Sequence, residues 1–205
     1  MTRPLIFLMR HGEAGLNDTR RYIGQSDVAL TDKGRMQAEA WADWFADISL
    51  GRIATSDLRR TRDTAAIIAE SRGLKAELIP QLREINLGEW EGTPIEEIKT
   101  HHPDQYDHRG RDLAGYRPPG GECFLDVQER SLKAFKRLTL KMEDSLLIVS
   151  HAGVNRTLLC AILGMPLANL FQLRQDYASL NIVEPRGNGY RLSAVNITLE
   201  NRWAG

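Results

Sequence analysis

Two short runs limit what this chain can fold into. Pro-Leu-Ile-Phe-Leu-Met at 4–9 and Ser-Leu-Leu-Ile-Val-Ser at 145–150 carry apolar side chains at consecutive positions. Successive side chains of a strand point to opposite faces, so both faces of each run need cover. Central strands of a sheet with helices above and below meet that need, and the run at 4–9 is read as a parallel one. Both runs end in polar residues: Met9 is followed by Arg10-His11-Gly12, and Ser150 by His151. Ligands of such sheets bind beyond the carboxyl ends of the strands. The two histidines are therefore expected on one rim.

The rest of the chain reads as helices alternating with strands. Residues 32–48 place Trp41, Trp44, Phe45 and Ile48 with Gln37 on one helical face, as core or pocket-wall packing. Residues 52–55 read as a strand, and Ser56-Asp57 offers an N-cap for a helix to about Glu70. A third strand is expected at 75–79, a long helix from Glu122 to Met142, and another helix at 153–164 closed by Gly164. Residues 179–195 read as an edge β-hairpin turning at Pro185–Gly189. This hairpin can pair across a homodimer or simply cap the sheet. The pattern predicts an α/β three-layer sandwich, with a mostly parallel central sheet and helices on both faces. One domain is expected to span 1–205. Within it, 93–121 has little apolar periodicity and reads as an irregular or partly helical cap over the site. His101-His102 in that stretch are read as a solvated pair, because adjacent residues rarely point the same way.

Composition removes several classes of function. Twenty-seven basic residues balance 27 acidic ones among 205, so no nucleic-acid partner is expected. No stretch approaches the roughly 18 apolar residues of a membrane span, and no secretory leader is read at the N-terminus. Cys123 and Cys160 lie in no metal-ligand spacing and are read as reduced thiols of a cytoplasmic protein. No glycine-rich nucleotide loop follows any strand.

Six polar residues are expected to gather at the strand ends: Arg10, His11, Asn17, Arg60, Glu84 and His151. Two guanidinium forks suit a dianion such as phosphate. A neutral imidazole can attack phosphorus when its other nitrogen is tied to a carbonyl. Gly12, lacking a side chain, would let backbone pass close to the phosphate. A carboxylic acid near the leaving oxygen can give its proton and then take one from water.

Four blocks in order, LMRHGEAGLN, TSDLRRTRDTA, LREINLGEWEG and IVSHAGVNR, resemble the histidine phosphatase superfamily, also called phosphoglycerate mutase-like. The resemblance implies that His11 is the nucleophile that becomes phosphohistidine, and that Arg10, Arg60 and His151 hold the phosphoryl group. It also implies that Asn17 contacts the phosphate and that Glu84 is general acid and base, with no metal or organic cofactor. In the second block Arg60, directly before Thr61, is the motif arginine. The substrate implied is a small phosphate ester. Family mutases carry a serine directly after R-H-G-E and a long insertion after the Glu block. Here Ala14 stands at the first position and 93–121 is short, so a phosphatase is expected over a phosphoglycerate mutase. A catalytically inactive phosphate-binding scaffold is the remaining alternative, disfavoured because every motif residue is present. Within the family the blocks are most similar to α-ribazole phosphatase-type enzymes of cobalamin biosynthesis, which adds α-ribazole 5′-phosphate to the candidate substrates.

Overall fold

The computed structural model describes residues 3–15, 21–140, 142–187 and 189–199. Six strands, β1 (Ile6–Arg10), β2 (Leu50–Thr55), β3 (Ala76–Leu78), β4 (Ser145–Ser150), β5 (Leu180–Arg186) and β6 (Gly189–Ile197), form one sheet in the order β3-β2-β4-β1-β5-β6. The helices are α1 (Asp32–Phe45), α2 (Arg59–Glu70), α3 (Ile95–His101), α4 (Pro103–Arg111), α5 (Phe124–Thr139) and α6 (Ala152–Leu163). β1 and β4 are the central pair, parallel with Arg10 opposite Ser150. That register brings Arg10-His11 and His151 to one end of the sheet. The all-parallel reading of β1 is corrected on its other side, where β5 runs antiparallel to it.

The apolar-on-both-faces pattern of β1 and β4 is explained by two cores. Ile6, Leu8, Leu146 and Ile148 pack against Val127, Phe135, Val154 and Leu158 of α5 and α6. Phe7, Met9, Leu147 and Val149 pack against Trp41, Phe45, Ala65 and Ile68 of α1 and α2. Phe7 meets the edge of Phe45 at 5.2 Å, and Trp44 stands edge-on to Trp41 at 5.1 Å. The tryptophans of α1 are therefore core, as the periodicity indicates. Burying one such aromatic contributes on the order of 3 kcal/mol.

Two local expectations are corrected. α2 is capped neither by Ser56 nor by Asp57: Leu58 is its N-cap residue, and the Asp27 carboxylate accepts the Arg59 N–H at 2.6 Å from a distant loop. Asp57 is instead committed to Arg83, which donates from two nitrogens at 2.7 and 2.6 Å and lowers the carboxyl's pKa. The segment 93–121 is partly helical, within what its sequence suggests: it contains two short helices, α3 and α4, and His101-His102 sit at their junction. α4 has no buried residue, so it has no apolar stripe to read. β5 and β6 form the expected edge hairpin, with the strands running closer to the turn than predicted.

Candidate active site

The carboxyl ends of β1 and β4 and the start of α2 converge on His11. Its Nδ1 lies 2.7 Å from the Gly12 carbonyl oxygen. A carbonyl only accepts, so Nδ1 carries the proton and Nε2 keeps its lone pair. Arg60 Nε–H donates to that lone pair at 3.2 Å, which fits the same tautomer. Arg60 is buried, and its terminal nitrogens donate to the carbonyls of Ser26 at 2.8 Å and Gly24 at 2.6 Å. Arg10 donates from Nη1 to the Gln175 carbonyl at 2.8 Å, with its guanidinium carbon 3.7 Å from the Tyr177 ring centroid. The buried Arg10 Nε has no partner among the described residues.

The second histidine stands beside the first. The His11 and His151 rings are 5.3 Å apart, edge to face. His151 Nε2 lies 3.0 Å from the Ser56 hydroxyl, and its buried Nδ1 has no partner among the described residues. Glu84 faces the cluster from the loop after β3. Gly153 N–H, in the first turn of α6, donates to one carboxylate oxygen, and Ile85 N–H donates to the other, each at 2.9 Å. A Cβ on residue 153 would fall on that carboxylate, so a glycine is required there.

Both histidines are held neutral. Burial is the main cause for His11, followed by the charges of Arg10 and Arg60, and its pKa lies well below 6.5. For His151 burial again leads, followed by Arg60, His11 and Arg10. Burial also lowers the pKa of Arg10 and Arg60, with Glu84 opposing the shift in both, yet guanidinium remains charged in proteins. The arrangement is a neutral, tautomer-fixed imidazole between permanent cations. It can form a bond to an electrophile that carries negative charge. Among the described residues no group of three or more His, Cys, Asp or Glu side chains is placed to hold a metal.

The sequence profile of the histidine phosphatase superfamily (branch 1) matches residues 6–198. The chain belongs to the histidine phosphatase superfamily. Its relatives include a probable phosphoglycerate mutase, GpmB, of Yersinia enterocolitica, 37% identical over 87% of this chain and 84% of that protein. A glucosyl-3-phosphoglycerate phosphatase of Mycolicibacterium vanbaalenii is 34% identical over 80% of this chain and 76% of that protein. Among solved structures, a putative α-ribazole-5′-P phosphatase of Escherichia coli superposes with a TM-score of 0.87 at 26% identity, over 96% of this chain and 97% of that one. The superfamily thus spans mutases and phosphatases at similar distances from this chain.

Of the residues expected at the site, Arg10, His11, Arg60, Glu84 and His151 come together. Asn17 lies outside the described residues. Gly12 packs closely on α1: its N–H is committed to the Thr64 hydroxyl at 3.1 Å, and a Cβ would collide with the Gly34 carbonyl. The glycine serves close packing of the motif on a helix. Trp41, with Gln37 and Tyr177, lines a cavity of about 480 Å³, while its indole N–H donates to the Ala178 carbonyl at 2.7 Å.

Sequence reasoning missed the residues that hold these groups in place. Glu91 gathers the N–H groups of Gly24, Gln25 and Ser26 and the Ser26 hydroxyl, at 2.7 to 3.1 Å. It thereby shapes the loop whose carbonyls grip Arg60. Arg130 donates to the carbonyls of Gln81, Arg83 and Glu84 while paired with Glu122, fixing the loop that carries Glu84. Gln175 and Asn181 exchange amide hydrogen bonds at 2.8 and 2.9 Å behind Arg10. Glu91 sits in the third motif block and was within reach of a sequence reading. The others carry no local signal.

Proposed function

We propose that this protein is a metal-independent phosphomonoester hydrolase that works through a phosphohistidine on His11. The observation that supports it most is the state of His11: neutral, with Nδ1 tied to the Gly12 carbonyl and Nε2 facing Arg60. On binding, the phosphoryl group takes the place of the Arg60 Nε–H at the Nε2 lone pair. That lone pair forms the N–P bond as the P–O bond to the alcohol breaks. Protonated Glu84 gives its proton to the departing oxygen. Water then attacks phosphorus, Glu84 takes the water's proton, and the P–N bond electrons return to Nε2. Arg10, Arg60 and His151 stabilise the charge on the transferring oxygens. Arg10 Nε and His151 Nδ1, two of the buried atoms without partners among the described residues, are the natural contacts of those oxygens.

Water as acceptor is favoured over a second hydroxyl by two features. Ala14 stands where family mutases carry serine, and the connection over the site is limited to the two short helices α3 and α4. The experiment is phosphate release with chelator present from α-ribazole 5′-phosphate, 3-phosphoglycerate, phosphoserine and fructose bisphosphates, beside His11→Ala. The expected result is His11-dependent release and an acid-labile phosphoprotein in rapidly quenched samples. Interconversion of 2- and 3-phosphoglycerate without phosphate release would replace the hydrolase by a mutase. Ester binding without any turnover would leave a binding protein.

A further inference from the structure

Gln25 stands between the two carbonyls that hold Arg60. Gly24 and Ser26, its neighbours on either side, accept from the Arg60 terminal nitrogens. The Gln25 side chain itself reaches a different part of the site: its Nε2 donates to the main-chain carbonyl of Glu84 at 3.0 Å. The acceptor is a carbonyl, so the amide must present its NH2 end there. The two loops also meet backbone to backbone. A Cβ on Gly24 would collide with the Ile85 carbonyl, so only glycine lets them approach this closely. Glu91, further along the Glu84 loop, collects the N–H groups of Gly24, Gln25 and Ser26.

The same Glu84 carbonyl also accepts from Arg130 Nη2 at 3.0 Å. Arg130 commits all five of its N–H groups nearby: the others go to the carbonyls of Gln81 and Arg83 and to both carboxylate oxygens of Glu122. Glu122 in turn accepts the Asn86 N–H and donates its own N–H to the Asn86 carbonyl, each at 2.8 Å. The Glu84 loop is thus anchored to α5, and Gln25 links that anchored loop to the one gripping Arg60. A proton donor must stand within hydrogen-bond reach of the departing oxygen. The phosphoryl group held by Arg60 fixes where that oxygen lies, and a misplacement of about 1 Å can lower the rate about a hundredfold. We propose that Gln25 is a positioning residue, which ties the loop gripping Arg60 to the backbone of Glu84 and so keeps the phosphoryl group and the acid at one spacing. This rests on the hydrolase reading, with Glu84 as the proton donor.

The test compares two esters by kcat/KM, which measures transition-state stabilisation relative to free protein and ester. p-Nitrophenyl phosphate expels a phenolate that leaves without a proton. The fastest alkyl ester of the phosphate-release panel expels an alkoxide that needs one. Both esters need Arg60. Gln25→Met keeps the length of the side chain and removes the donor, and Gln25→Ala is the second variant should it fail to fold. The expected result is a loss of about tenfold for the alkyl ester, the contribution of one hydrogen bond, with the aryl ester changed by less than about twofold. Arg130→Met loosens the same carbonyl without touching the Arg60 loop and is expected to show the same split. The double variant should then lose less than the product of the two single losses. Equal losses for both esters with Gln25→Met would make Gln25 a support of the Arg60 loop alone and overturn the tie, as would no loss at all. Glu84→Gln separates this inference from the reading beneath it. A split with Glu84→Gln and none with Gln25→Met sinks the tie alone. Equal losses with Glu84→Gln, or no turnover of either ester by the unsubstituted protein, sink the hydrolase reading with Glu84 as acid and the tie with it.

Discussion

The floor of the site and the cover beside it are built on different physics. The floor is polar yet buried: His11, Ser56, Arg60, Thr64 and His151 are all nearly inaccessible, and β1, β4 and α2 carry them between two large cores. The cover, α3 and α4, has one buried side chain, Ile98, and rests on a small cluster of Tyr22, Leu87 and Trp90. Precise placement of charge needs the first kind of support, because a buried guanidinium or imidazole must find its partners or destabilise the fold. Contact with the variable part of a substrate needs only the second. The difference predicts that chemistry is set by the floor and selectivity by the cover.

The sharpest way to break this comparison is at the nucleophile. His11→Ala is expected to lower kcat by on the order of 10^4 or more, with phosphate release as the measure. A variant that keeps more than a few per cent of the activity would move the nucleophile elsewhere. Trp90→Ala probes the opposite region. Trp90 is buried between Tyr22 at 5.2 Å and Tyr116 at 5.5 Å, and its removal is expected to cost about 3–5 kcal/mol. Because the cluster is small, the loss should be local. Hydrogen exchange should show residues 95–116 opening while β1 and β4 stay protected. Equal loss of protection in β1 would mean that cover and floor form one cooperative unit.

The same contrast governs what was legible beforehand. β1 and β4 announce themselves because two-sided burial writes consecutive apolar residues, and the site residues follow them directly in the chain. α3 and α4 were obscure because α4 buries nothing, so no apolar period exists to find. Asp27 capping α2 was obscure because the contact spans 32 residues of sequence. The support behind Arg10, from Gln175 and Tyr177 of a loop and Asn181 of β5, was missed for the same reason: its role exists only once β5 lies beside β1. Local signals survive in sequence, and support supplied from a distance does not.

Acid should separate the regions next. His11 and His151 have native pKa values well below 6.5, chiefly through burial. Below pH 6.5 the unfolded chain binds protons at these positions that the native chain excludes, so stability falls as pH falls. The slope is about 1.4 kcal/mol per pH unit for each histidine, until the native values are reached. Urea unfolding at pH 7.5, 6.0 and 5.5 should show this decline, and His151→Gln should halve its slope. An unchanged slope would assign the acid sensitivity to groups outside the floor.

The smallest effect is expected on the outer face of the cover. Asp107 and Arg111 are one helical turn apart on α4, 3.9 Å from each other, with side chains 65% and 81% exposed. Water already solvates both charges, and holding two long side chains together costs entropy, so exposed pairs of this type contribute little. Asp107→Ala should therefore change stability by less than about 0.5 kcal/mol, and the change should shrink further in 1 M salt. Hydrogen exchange of α4 gives a more local reading than global unfolding, because a helix without buried residues opens ahead of the rest. If Asp107→Ala instead accelerates exchange across α3 as well, surface charge holds the cover in place. The Trp90 cluster would then be a lesser anchor than its burial implies.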